Sequence, residues 1–140
     1  MNSQDTVTAL SAEVNRMREH DRNTGQDRRW HGLDAVPNAV GHAIRKFPGF
    51  VTSEVVAIER STRTTEKSGF QIVTRGIIRY RLFGSEPGEP VTHVVLAEAF
   101  DKGSMGADKM MKIAFRTFLI EVLQLPTDRA VRNSDPSVST

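Results

Sequence analysis

The chain contains no cysteine, so neither a disulfide nor a thiolate metal site can hold it together, which suits a reducing compartment. No apolar run approaches the roughly 18 residues that a membrane span needs. The opening "MNSQDTVTAL" lacks the basic-then-apolar pattern of a leader, so the chain reads as soluble and intracellular. There is no Walker-type phosphate loop, no histidine pair at metal spacing and no nucleophile elbow. The four histidines, His20, His31, His42 and His93, are scattered, and a lone histidine is more often a surface or core residue than a ligand. Aromatic side chains are few, with one Trp and one Tyr, which leaves little to interleave with charge as a base-stacking surface. Net charge is also small, +2. A patch rather than the total would therefore have to attract an acidic partner.

What is present is the composition of a globular domain, 38% hydrophobic and 26% charged. Its 140 residues suit one domain. A chain of that size buries roughly two thirds of the surface it would expose unfolded. In "QDTVTALSAEVNRMREH", Val7, Leu10, Val14 and Met17 recur at helical spacing, predicting an amphipathic helix. The polar "DRNTGQDRR" follows as a linker. A second helix is expected from Leu33, Val36, Val40, Ile44 and Phe47, with Asp34 as N-cap, Pro37 in the first turn and Pro48–Gly49 as the stop.

From Phe50 the apolar period shortens to two. "FVTSEVVAIERS", "GFQIVTRGIIRYRLF" and "VTHVVLAEAF" read as strands, joined by "TRTTEKSG" and "GSEPGEP". Such short connections favour an antiparallel meander. In the second strand Phe70, Ile72, Ile78, Tyr80 and Leu82 face one way, and Gln71, Arg75, Arg79 and Arg81 the other. Phe70 and Tyr80 are expected in the core. A helix from about Met105 to Gln124 carries Met110, Met111, Ala114, Phe118, Val122 and Leu125 on the face that covers the sheet, and Pro126 stops it. The expected fold is α+β: a three-stranded antiparallel meander covered by a long C-terminal helix, with N-terminal helices. The expected organisation is residues 1–29 as N-terminal helix and linker, 30–128 as core domain, and 129–140 as a flexible tail.

Charge is placed less evenly than the total suggests. Between Arg60 and Arg81 stand six basic residues against one acidic residue, Glu66. Lys109, Lys112 and Arg116, offset by three and four, share one stripe of the last helix. Each row alone reads as a solvated face. Two rows beside one groove suit a phosphate backbone, which arginine grips bidentately and lysine as a point charge. Trp30 reads as a packed anchor, with base stacking as the alternative. Asp34, Glu54, Glu98 and Asp101 allow a two-carboxylate metal site, hence a metal-dependent nuclease, as a distant option.

The stretch "DKGSMGADKMMKIAFRTFLIEVLQLPTD" resembles the signature of the essential recombination function family of phage single-strand annealing proteins. It aligns without a gap. Asp101, Gly103, Lys109, Met111, Ala114, Phe115, Leu119, Pro126 and Thr127 coincide, and Arg116, Ile120 and Asp128 are conservative replacements. "AEAF" and "RRWHGLDAVPNAVGHAIRKFPGFVTSEVV" are similar to the elements before it, and "TRTTEKSG" with "RGIIRYRLFGSEPG" to the family's hairpin. The likeness spans about Trp30 to Asp128. Ser104, Met105, Thr117 and Glu121 depart from it, so the basic row begins one turn later here.

The resemblance implies a non-enzymatic, ATP-independent protein that binds single-stranded DNA and anneals it during phage recombination in the bacterial cytoplasm. It implies a β-β-β-α annealing core and assembly into a ring or filament. It implies no cofactor and no membrane, and a phage exonuclease or host single-strand-binding protein as further partner. The DNA-binding residues would be Arg63, Lys67, Arg75, Arg79, Arg81, Lys102, Lys109, Lys112 and Arg116. On this reading the first helix either folds back on its own domain or packs on a neighbouring subunit. The rival class is a small α+β regulatory or interaction module whose cations meet an acidic protein partner.

Overall fold

The computed structural model describes residues 1–26, 30, 32–67 and 69–126. The tail expected over 129–140, together with Thr127, Asp128, His31, Ser68 and the linker residues 27–29, lies outside them. The order is α1 (Ser3–Asn23), α2 (Ala35–Lys46), β1 (Phe50–Thr65), β2 (Gly69–Phe83), β3 (Val91–Asp101) and α3 (Gly106–Val122). The sheet is antiparallel in the order β1-β2-β3, so the fold is the expected α+β meander followed by a helix.

Local chemistry sets most of the boundaries. Asn2 caps α1 by accepting from the Asp5 amide at 2.8 Å. Asp34 occupies the N-cap position of α2, but its side chain makes no capping bond, a correction to its expected role. Pro37 sits in that first turn, where no donor is needed. After α3, Gln124 takes a left-handed φ of 52°. The Leu125 amide reaches Ile120 O at 2.9 Å and the Gln124 amide reaches Glu121 O at 3.3 Å, closing the paired bonds of a Schellman end. Pro126 follows, so α3 ends two residues before Gln124 and begins one after Met105.

Alternation along β2 decides the layers. Thr74, Ile78, Tyr80 and Leu82 are buried, as are Val95, Ala97 and Ala99 of β3. Onto them α3 lays Met110, Ala114 and Phe118, one residue per turn. Leu119, elsewhere on α3, and its C-cap Leu123 join the same core with Val7, Leu10 and Val14 of α1 and Val36, Ala39, Val40 and Ala43 of α2. The α1 helix therefore packs on its own domain, and the Ser11 hydroxyl ties it to Leu123 O at 2.6 Å. Phe70 is 56% exposed, contrary to the core role expected for it. It shares the parity of Tyr80, but it lies on the hairpin where the chain has run past the start of α3. No helix among the described residues is long and apolar enough to cross a membrane.

Two glycines separate crowding from helix propensity. A Cβ on Gly49 would fall 2.4 Å from Phe83 O, a backbone atom that cannot turn aside. Gly41, inside α2, has open space around it. Gly49→Ala should cost about 1–3 kcal/mol, whereas Gly41→Ala should gain about 0.5–1 kcal/mol, both read by urea denaturation.

Candidate nucleic-acid interface

The sheet face away from the helices carries the first basic row. Antiparallel register sets Glu54 opposite Arg79, Glu59 opposite Arg75, and Arg75 opposite Glu98. Arg79 Nη1 lies 2.5 Å from Glu54 Oε1, which Arg81 also approaches at 3.7 Å. Arg75 bonds Glu98 through Nε and stands 3.9 Å from Glu59. The Glu98 bond raises the Arg75 pKa above its already high value. These three arginines share one face as the alternation predicts, yet their charge is matched there by three carboxylates. Counting charges from Arg60 to Arg81, six basic against one acidic, missed this because Glu54, Glu59 and Glu98 lie outside that stretch and are brought in by strand pairing.

The second row is built differently. At the end of β3, the Asp101 carboxylate accepts from the Met105 amide at 2.9 Å and the Lys102 amide at 2.8 Å. These bonds, the Met105 one foremost, hold its pKa below the usual carboxylate value. The turn thus made delivers Gly106 onto the sheet, where a Cβ would lie 2.6 Å from Thr74 Oγ1. Close seating of that first turn sets where the α3 cations stand. Lys109 Nζ donates to Phe100 O at 3.2 Å. Lys112 is exposed, with Asp108 at 3.9 Å one turn before it. Arg116 is half-buried, and its shielded Nε has no hydrogen-bond partner among the described residues.

Phe100 joins this row to the hairpin. The Arg63 guanidinium lies 4.1 Å from the centre of the Phe100 ring, and its Nε donates to Gln71 Oε1 at 3.2 Å. Arg63 and Lys109 thus touch the same residue, one at the ring and the other at the carbonyl. Lys102, two residues after Phe100, and Lys67, at the hairpin turn, are exposed. The candidate interface is the junction of hairpin, β3 end and α3: Arg63, Lys102, Lys109, Lys112 and Arg116. Lys67 lies at the far tip of the hairpin, and Arg75, Arg79 and Arg81 lie on the charge-matched sheet face.

The remaining candidates have structural partners. Trp30 is buried, donates from Nε1 to Asp21 at 3.0 Å and has Arg18 5.8 Å from its ring centre, so it anchors α1. His93 Nε2 lies 2.5 Å from Glu121 Oε2. Among the described residues no three metal-ligating side chains converge, and Glu54, Glu98 and Asp101 are each engaged as above. Phe100 was not singled out from sequence. Only a β2–β3 register, which places it opposite Val73, could have brought it beside Arg63. No family model and no curated protein matches the chain.

Asp101 offers a pH test of the turn. Because its folded pKa is depressed, its contribution is present above the unfolded carboxylate value of about 3.9 and fades as pH falls through the lower folded value. Asp101→Asn should therefore lower the thermal midpoint at pH 7. The gap from wild type should narrow as pH falls below the unfolded carboxylate value and the wild-type carboxyl protonates.

Proposed function

We propose that the chain binds single-stranded DNA and anneals complementary strands, without ATP, as a subunit of a phage recombination system. The observation that carries this reading is the meeting of hairpin and helix cations at Phe100, where Arg63 and Lys109 flank one residue. Annealing makes no covalent bond. It needs phosphates neutralised so that two strands can approach, with base edges left free to test pairing. Phosphate contacts carry no sequence information, so binding would be largely indifferent to sequence. Support comes also from the gapless resemblance along Asp101–Asp128. Its Asp101 makes the turn, its Lys109 reaches Phe100, and its Ala114 packs on the sheet.

The working site on this reading is Arg63, Lys102, Lys109, Lys112 and Arg116, with Lys67 entering from the hairpin tip. Arg75, Arg79 and Arg81 contribute less, since a phosphate would have to displace Glu54, Glu59 and Glu98 from them. A ring or filament would multiply the few contacts of each subunit. An exonuclease or host single-strand-binding protein would load it, in the bacterial cytoplasm. A second reading, an interaction module for an acidic protein, is favoured by Leu96, 78% exposed between two charge-matched rows.

Titration of a fluorescent oligonucleotide against salt tests the proposal. Wild type should weaken steeply, with about 0.7 of logarithmic slope per phosphate neutralised. Lys109→Ala/Lys112→Ala/Arg116→Ala should lose at least about tenfold in affinity and about 2 in slope. Arg79→Ala/Arg81→Ala should change affinity by less than about threefold. No binding by wild type would remove the reading, and equal losses in the two variants would remove the residue assignment.

A further inference from the structure

The strand β1 has no cover. It runs 16 residues at the edge of the sheet, against a usual strand of about 5–6. The α3 helix packs on β2 and β3, and no helix packs extensively on β1. From Thr52 to Thr64 every residue is exposed, including Val55, Val56 and Ile58. An open edge presents unpaired N–H and C=O groups, and proteins usually blunt it with lysine, proline, short length or cover. Phe50–Thr65 has no lysine, no proline and no helix cover, and its guards are the charges of Glu54, Glu59, Arg60 and Arg63 and a bulge between Val55 and Ala57. The opposite outer strand, β3, is shorter and lies under α3, and Lys109 already bonds its Phe100 carbonyl.

We infer that β1 pairs with β1 of a second copy, antiparallel, about a two-fold axis at Ser61. The regular run Ala57–Thr65 reads A-I-E-R-S-T-R-T-T and is self-complementary about its centre. Antiparallel pairing there sets Ser61 against its own copy, Glu59 against Arg63 twice, Ile58 against Thr64 and Arg60 against Thr62. Directly opposed residues share a face, and opposite charges so placed stabilise a sheet. Glu59 and Arg63 both lie on the face away from the helices, since they pair with Arg75 and Gln71 of β2. Glu59, 68% exposed, pairs only loosely with Arg75, no nearer than 3.9 Å, and can turn to a second arginine across the seam. The two copies of Arg60 stand diagonally across the axis rather than opposite. Parallel pairing would lay the acidic first half of one strand, Glu54 and Glu59, along the acidic half of the other. The result is a six-stranded sheet with an isologous seam. Of the candidate interface residues, Lys102, Lys109, Lys112 and Arg116 lie outside β1, whereas Arg63 lies on the seam itself. The inference does not rest on the annealing reading.

The absence of cysteine gives a clean test in the full chain. Opposed residues of an antiparallel pair have Cα atoms about 4.5–5.5 Å apart, within disulfide range. Ser61→Cys should cross-link to a covalent dimer under mild oxidation at micromolar protein. Ser53→Cys, exposed on the same strand but about eight residues from the axis, should cross-link at least tenfold more slowly. Sedimentation velocity should find wild type dimeric or larger, Glu59→Arg and Arg63→Glu dissociated at least tenfold more readily, and the double swap restored. Should a single swap fail to fold, hydrogen exchange on wild type remains decisive, because β1 amides should gain protection as concentration rises. Equal cross-linking at positions 53 and 61, a monomeric wild type, or β1 amides whose exchange ignores concentration would each overturn the pairing.

Discussion

Phe118 stacks on Tyr80 with ring centroids 4.5 Å apart and planes within 17°, and this contact between α3 and β2 is the one the other arrangements depend on. It fixes the helix over β2 and β3, with Met110 and Ala114 completing the stripe toward the other end. Offset aromatic pairs of this kind contribute about 0.5–1.5 kcal/mol beyond the area they bury. Burial also pushes the Tyr80 phenol up to about 12, so it stays neutral at any physiological pH. Two consequences follow from where α3 sits. Its first turn, seated on Thr74 by Gly106 and closed by Asp101, brings Lys109 to Phe100. Its other consequence is that β1 receives no helix cover from Thr52 to Thr64.

Electrostatics then divides the molecule into two kinds of surface. On the open sheet face each strand supplies charges that its neighbour cancels: Glu54 with Arg79, Glu59 and Glu98 with Arg75. Exposed ion pairs of this sort contribute little stability, typically about 0–1 kcal/mol. Their importance is that guanidinium groups already matched are poor sites for phosphate. At Phe100, Arg63 on that same open face and Lys109 from α3 are held instead by neutral groups, a ring, an amide oxygen and a carbonyl, which orient them without removing their charge. That distinction, rather than net charge, decides which basic row can take an anion.

Much of the fold was legible in the sequence. The period-two run Gly69–Phe83 marked its strand to the residue, and the period of the last helix placed Met110, Ala114 and Phe118 on the sheet. These patterns are local and are enforced by burial on one face. The basic rows were legible as rows, but not as free or matched, because cross-strand pairs join residues 16 to 25 positions apart, as in Glu59–Arg75 and Glu54–Arg79. Phe70 was misplaced for a related reason. Alternation gives the side of the sheet, while only tertiary structure says how far along it the covering helix extends. The bulge between Val55 and Ala57, which shifts the register of β1 in mid-strand, has no signature in the residues themselves.

The central claim is that the cations gathered at Phe100 serve strand pairing. Its most direct test follows two complementary fluorescent oligonucleotides as they anneal, with no nucleotide and no metal added, at low and at high salt. The account predicts that the protein accelerates pairing well above the spontaneous rate at low salt. High salt should abolish the acceleration as the phosphate contacts are screened. Pairing that proceeds at the spontaneous rate at both salt concentrations would contradict it.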